Sequence, residues 1–246
     1  MNSQTTLPWL DPNHPEFFPA VEQAWAEPNG LLAVGGDLST IRLLHAYRRG
    51  IFPWYSDGQP ILWWSPDPRM VFDTTGVRLS RRFRQSMRKR QWHIRFDQQF
   101  AQVIQFCANL PRSTGDGSWI TQDMLNAYIS LHQANAAHSV EVYEGDRLVG
   151  GLYGVSIGCM FFAESMFSIE TGGSKIALAG LALLLKRAGW SLIDAQLENP
   201  HLAFMGAYPM PRSEYCRRIE PLCAQASDAE IWNKSLTLSE IFADRS

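Results

Sequence analysis

The chain has 246 residues, of which 46% are hydrophobic and 19% charged, so it holds enough apolar surface for a sizeable core and gives no basis for extended disorder. Its 22 basic and 24 acidic residues leave a net charge of -2, so only local clustering would attract a polyanion. There is no apolar run long enough to span a bilayer, Met1-Asn2-Ser3-Gln4 does not open like a signal peptide, and the four cysteines lack zinc-ligand spacing. A cytoplasmic, reduced, metal-free protein without a membrane partner is expected.

Residues 1–70 are rich in proline and glycine and read as a small loop-rich N-terminal domain, whereas residues 71–246 carry clear periodicities and read as a second domain. In the first, Ser39 is placed to cap a short helix with Leu43, Leu44 and Tyr47 on its apolar face and Gly50 closing it. After residue 80, Arg81-Arg82-Phe83-Arg84-Gln85-Ser86-Met87-Arg88-Lys89-Arg90 places six cations in ten residues with no acid between them. A helical run would bring Arg81, Arg84 and Arg88 to one face, a pattern suited to phosphate backbones as well as to a solvated surface.

Trp92 to Phe96 alternates as a strand, Asp97 is placed to cap a helix carrying Phe100, Val103, Ile104 and Cys107, and a second helix is expected from Thr121 to about Asn135. A three-stranded meander follows through Ser139 to Tyr143, Arg147 to Ser156 and Cys159 to Met166. Ser174 is expected to cap a helix through Ala188, Trp190 to Gln196 to return as a buried strand, and Asn199-Pro200 to open another short helix. The order predicts an α+β fold with a mixed, largely antiparallel sheet.

Several motifs have plainer explanations. Gly154-Val155-Ser156-Ile157-Gly158 matches a nucleophile elbow but falls in the meander, and Gly172-Gly173-Ser174-Lys175 has the wrong order for a phosphate loop. The six histidines are dispersed, and none is spaced to pair with an acid or cysteine. More informative are polar groups inside apolar strands: Glu164 within Met160 to Phe167, and Asp194 and Gln196 within Leu192 to Leu197. Period-two geometry puts Asp194 and Gln196 on one face, and a buried carboxylate belongs either to an ion pair or to a functional site.

Gly50-Ile-Phe-Pro-Trp54-Tyr55-Ser56 and Pro60-Ile-Leu-Trp-Trp-Ser-Pro-Asp-Pro-Arg69 resemble signatures of the leucyl/phenylalanyl-tRNA-protein transferase family. So do Glu27 to Asp37, Gly117 to Thr121, His138 to Val142, Gly150 to Gly154, Glu164 to Ser168, Ser174-Lys175 and Asp194 to Gln196, in family order. The resemblance implies a monomeric cytoplasmic aminoacyltransferase that needs no cofactor. It would move Leu or Phe, and Met less well, from aminoacyl-tRNA to the N-terminal Arg or Lys of proteins, marking them for degradation. It also implies a GCN5-type acetyltransferase-like fold for the second domain, and assigns catalytic or acceptor-site roles to Glu164, Asp194 and Gln196. Trp54, Trp119, Leu152 and Leu181 would form the aminoacyl and adenosine pocket, and the basic run the tRNA patch.

Leu152 and Leu181 replace the Met and Phe of some members, which keeps that pocket apolar. The glycine-rich pyrophosphate turn of true acetyltransferases is absent before Ser174, which disfavours acetyl-CoA as donor. A non-catalytic RNA-binding module would use the basic run and tryptophans but would leave the polar trio unexplained. In the transfer reaction Asp194 and Gln196 are expected to position the attacking amine and relay its proton, with Glu164 holding the cationic acceptor or the ribose.

Overall fold

A computed structural model describes residues 6–110 and 120–244. Near the N-terminus β1 (Trp9–Leu10), β2 (Leu31–Gly35), β3 (Phe52–Pro53) and β4 (Leu62–Trp64) make a small sheet in the order β1-β2-β4-β3, with β1 parallel to β2 and the other pairs antiparallel. Helix α1 (Thr40–Arg48) starts where expected, because Ser39 Oγ accepts the Arg42 amide at 3.3 Å, and Gly50 follows it at φ 73°.

The chain then builds β5 (Arg69–Asp73), α2 (Arg81–Met87), β6 (Trp92–Phe96), α3 (Phe100–Asn109) and α4 (Gln122–Gln133). The meander is β7 (Ala137–Glu144), β8 (Arg147–Ile157) and β9 (Met160–Ser168), followed by α5 (Gly173–Arg187), β10 (Leu192–Gln196), α6 (Pro200–Phe204), β11 (Tyr208–Met210), α7 (Arg212–Ala224), β12 (Ser235–Thr237) and α8 (Leu238–Ala243). These strands form a mixed eight-stranded sheet in the order β11-β5-β10-β9-β8-β7-β6-β12. Only β9 and β10 pair in parallel, as the α5 crossover between them requires.

Strand alternation divides the core. Val140, Val142, Leu152 and Phe161 pack in one cluster with Ile176, Leu181 and Leu185 of α5, while Tyr153, Val155 and Phe162 pack in another with residues of α3 and α4. The second cluster continues into Leu32, Ala33 and Trp63, so the small sheet shares a core with the large one.

Two helix starts differ from expectation. Asp97 does not cap α3: at φ 54° it turns back to β7, where its Oδ1 accepts the Ser139 amide at 2.8 Å and its Oδ2 lies 2.6 Å from His138 Nδ1. A histidine therefore does pair with an acid, through a strand register invisible in local spacing. The amides of Gln98 and Gln99, just before α3, instead donate to the buried Glu141 carboxylate at 3.1 and 3.0 Å. Ser174 likewise is not the cap of α5, which begins at Gly173 after Gly172 at φ 97°. A Cβ on Gly150 would fall 2.4 Å from Gly173 Cα, so close backbone packing of α5 on β8 fixes the start of the helix.

Candidate active site

Strands β9 and β10 pair only at Phe161 with Ile193 and at Phe162 with Asp194. Beyond those pairs, residues 163–168 and 195–199 line a cavity of about 680 Å³, a size suited to a small-molecule moiety. Phe52 and Pro53 of β3 and Trp54 just after it form another wall, and Phe106 and Leu110 from the end of α3 a third.

Glu164 and Gln196 meet in this cavity. Gln196 Nε2 donates to Glu164 Oε1 at 2.7 Å. The same oxygen accepts from the Tyr47 hydroxyl at 2.7 Å, and Oε2 accepts from the Tyr128 hydroxyl at 2.9 Å. The two hydroxyls are themselves 2.5 Å apart. With the carboxyl ionised, two hydroxyl hydrogens must serve three oxygen-oxygen contacts, and a proton on Glu164 supplies the missing one. Burial acts in the same direction, pushing the Glu164 pKa up to about 7 against the lowering effect of its hydrogen bonds. Burial first, and then the charge of Glu164, raise both tyrosines well above their ordinary range, which keeps them protonated.

Asp194 occupies a different environment. It is fully buried and does not line the cavity. Its Oδ1 accepts from Arg69 Nε at 2.8 Å and from the Gln196 amide at 2.9 Å, while Oδ2 accepts from Arg69 Nη2 at 2.6 Å and from the Tyr215 hydroxyl at 2.9 Å. Arg69 is held between the Phe52 and Tyr215 rings, 4.6 and 4.8 Å from their centroids, and donates through Nη1 to Gly50 O at 3.0 Å. Although its own burial opposes this, Asp194 raises the Arg69 pKa, so the guanidinium stays charged.

The expectation that Asp194 and Gln196 share a face fails at a bulge. Asp194 pairs with Val71 and Gln196 with Met70, so one residue is extra, and Gln196 takes φ 62°, a left-handed conformation rare for a residue with a Cβ. The turn sends Gln196 into the cavity while Asp194 Oδ1 holds its amide. Strained backbone of this kind persists where surrounding structure fixes it, and it clusters at functional sites.

Of the residues expected in the pocket, Trp54 and Leu152 line the cavity, whereas Trp119 lies outside the described residues. Leu181 does not line it. It is fully buried against the sheet, and Leu178, one turn earlier on α5, takes the wall position. Tyr47 and Tyr128 hold Glu164 and Arg69 holds Asp194, and the sequence alone does not single out these three. Tyr47 was legible only as part of an apolar helix face, and Arg69 only as the end of the Asp-Pro-Arg signature.

The basic run is sorted by its neighbours. Arg81 and Arg88 are exposed, whereas Arg84 is half-buried with Nε donating to Leu79 O at 2.9 Å. Arg90 pairs with Glu144 at 3.1 Å and Glu170 at 3.7 Å. The run is therefore not free of acids, because the meander and the turn after it supply them from distant sequence.

Residues 71–220 match the family model described as leucyl/phenylalanyl-tRNA protein transferase, and residues 36–67 match the model of its N-terminal domain. A Xanthomonas oryzae pv. oryzae protein named leucyl/phenylalanyl-tRNA-protein transferase is 59% identical over 217 residues, covering 88% of this chain and 87% of its own. A Xylella fastidiosa protein of the same name is 54% identical over 233 residues, 95% of each chain. Among solved structures, a functionally unknown conserved protein from Staphylococcus epidermidis is similar with 11% identity and a TM-score of 0.42 over 82% of this chain and 86% of its own, too slight a likeness to assign a fold. With both family models matched and more than half of its residues shared with proteins of that name over most of its length, the chain belongs to the leucyl/phenylalanyl-tRNA-protein transferase family.

Proposed function

We infer that the cavity beyond the last paired residues of β9 and β10 is the acyl-transfer site. The chain is an aminoacyltransferase that moves Leu or Phe from aminoacyl-tRNA to the N-terminal Arg or Lys of proteins, marking them for degradation. The observation that carries the site assignment is the 2.7 Å contact between Gln196 and a Glu164 whose pKa stands at about 7, inside a cavity walled by apolar side chains.

The acceptor's α-amine attacks the carbonyl carbon of the ester linking the amino acid to the ribose. A C–N bond forms, the ester C–O bond breaks, the amine gives up one proton and the departing ribose oxygen takes one. The donor is already activated and an α-amine of pKa about 7.7–8.0 is partly neutral at pH 7, so orientation and a weak base near neutrality are sufficient. Glu164, close to half-ionised at pH 7, accepts the amine proton, and the Tyr47 and Tyr128 hydroxyls hold the carboxyl and share its hydrogens. Gln196 commits its Nε2 to Glu164, which leaves Oε1 to accept from the attacking amine.

Asp194 is a positioning residue in this reading. Its oxygens are already engaged by Arg69, Tyr215 and the Gln196 amide, which argues against the proton-relay role expected for it. Arg69 in turn ties β10 to Gly50, just ahead of the Phe52 to Trp54 wall. Trp54, Leu152 and Leu178 are proposed to receive the amino acid side chain and adenine, with Trp119 retained as a candidate. Arg81 and Arg88 are proposed to contact tRNA phosphates, with Arg84 contributing less because its Nε is committed.

The division at residue 70 and the GCN5-type character of residues 71–246 are kept as proposals. They draw support from the separate small sheet and from the meander, α5 and parallel β10 that follow it. A cytoplasmic location is proposed as well, because charged tRNA, the substrate, is found there. The test is transfer of labelled Leu or Phe from charged tRNA to a protein beginning with Arg, beside acetyl-CoA as donor. Label on that protein from tRNA alone is expected, and acetylation in its place would overturn the reading.

A further inference from the structure

The Gly172-Gly173-Ser174-Lys175 turn has a role left open by its lack of phosphate-loop spacing. Its main chain offers little to an anion, because the Gly173 amide donates to Glu170 O at 3.0 Å and the Ser174 amide to Ser168 Oγ at 2.8 Å. An incoming phosphate would have to be met there by side chains.

Lys175 is such a side chain. Its Nζ lies 5.4 Å from the centroid of the Phe83 ring of α2, and a Cβ on Gly172 would fall 2.6 Å from that same ring. Phe83 therefore docks the basic helix on the start of α5, next to Lys175. On the cavity side, Lys175 is close enough to His201 that its charge helps burial to lower the imidazole pKa. His201 and Ser174 both line the cavity. Among the described residues no ion pair involves Lys175, whereas Arg90 and Arg147 of the nearby surface are tied to Glu144 and Glu170. An ammonium over an aromatic face and not paired with a carboxylate is open to an anionic ligand.

We propose that Lys175 binds the phosphodiester joining the last two nucleotides of the donor RNA, with His201 beside it as a hydrogen-bond donor. The inference rests on the acyl-transfer reading of the cavity. If the terminal aminoacyl-adenosine occupies the cavity, its first phosphodiester leaves at the rim, between His201 and the basic helix. Lys175 then links the reacting end of the RNA to the phosphates farther up the acceptor stem, which Arg81 and Arg88 meet.

The test is a series of three donors carrying the same amino acid: aminoacyl-adenosine with no phosphodiester, aminoacylated cytidylyl-adenosine with one, and whole charged tRNA. Lys175→Met keeps an unbranched apolar stem over Phe83 but removes the charge. It is expected to lower kcat/KM about tenfold, the scale of one lost charge-assisted hydrogen bond, with the dinucleotide and with tRNA. That deficit should vanish with aminoacyl-adenosine, and Lys175→Arg should restore most of the dinucleotide efficiency. Replacing Arg81 and Arg88 by Gln should lower efficiency with whole tRNA alone.

A Lys175→Met loss that is equal for all three donors, or absent with the dinucleotide, would overturn the proposal. Lys175→Gln, read in the same way, guards against a folding defect particular to Met. No transfer by the unmutated protein from any of the three donors would overturn the acyl-transfer reading itself, and the subsite with it.

Discussion

Asp194 and Glu164 are carboxylates on adjacent strands, both embedded in apolar sequence, yet their surroundings are opposite. Asp194 is fully buried against a guanidinium that takes both of its oxygens, with a tyrosine and a backbone amide completing its partners. Glu164 has no cationic partner among the hydrogen bonds and ion pairs of the described residues, and receives only neutral donors at the edge of a cavity. A paired charge is fixed and structural, whereas a desolvated carboxyl with neutral partners sits near the pH at which it can exchange a proton. Burial of an acid alone does not separate these cases; the charge of its partner does.

Substitution at each acid should separate them in turn. Glu164→Gln keeps the shape and removes the proton acceptor, so the transfer rate should fall by about 10²- to 10⁴-fold, the range for general acid-base catalysis, with little change in melting temperature. A rate within twofold of the unmutated protein in a transfer assay would end its role.

Asp194→Asn should show the reverse pattern. Leaving Arg69 buried without its counter-charge should cost about 3–5 kcal/mol of stability in denaturant titration. Because an amide oxygen can still accept the Gln196 N–H, transfer measured well below the unfolding transition should stay within about tenfold. Loss of transfer in a fully folded Asp194→Asn protein would return the chemistry to Asp194.

Removing one neutral donor from Glu164 is a smaller perturbation. The Tyr47 hydrogen bond lowers the Glu164 pKa, so Tyr47→Phe should move it upward, leave more of the carboxyl protonated at pH 7 and slow transfer by about three- to tenfold. Raising the pH should recover part of that loss, which a purely structural defect would not allow.

A separate effect is on the dependence of stability on pH. Glu164 titrates at about 7 in the fold against an ordinary 4.5, so the folded state binds more protons between these values. Its contribution to stability is fullest below about 4.5, falls as pH rises to about 7 and is flat above that. Denaturation midpoints of Glu164→Gln should therefore lose less between pH 5 and about 7 than those of the unmutated protein.

The sequence disclosed features that depend on local pattern and hid those that depend on distant partners. Alternation revealed the meander, and Ser39 and Asn199 marked real helix starts, each accepting a nearby amide. Polar residues in apolar strands led to Glu164 and Gln196. Nothing local announced that Asp194 would be paired with a residue 125 positions earlier, or that a bulge would turn Gln196 away from it. The start of α5 differs from expectation because a cap residue is visible in sequence while the contact of Gly150 with Gly173 is not. Resemblance points to Leu181 whereas the cavity is lined by Leu178, because resemblance gives residue identity and the wall position depends on how α5 is rotated over the sheet.

The most direct measurement is the pH dependence of kcat for Leu transfer to a protein beginning with Arg, in the unmutated protein, Glu164→Gln and Asp194→Asn. If Glu164 takes the amine proton, the unmutated protein shows an inflection near 7 and Asp194→Asn keeps it at a lower pH, because the Asp194 charge helps raise the Glu164 pKa, while Glu164→Gln loses it and rises only with the acceptor amine, at about 7.7–8.0 and to a much lower plateau. An inflection near 7 that survives in Glu164→Gln would contradict the assignment.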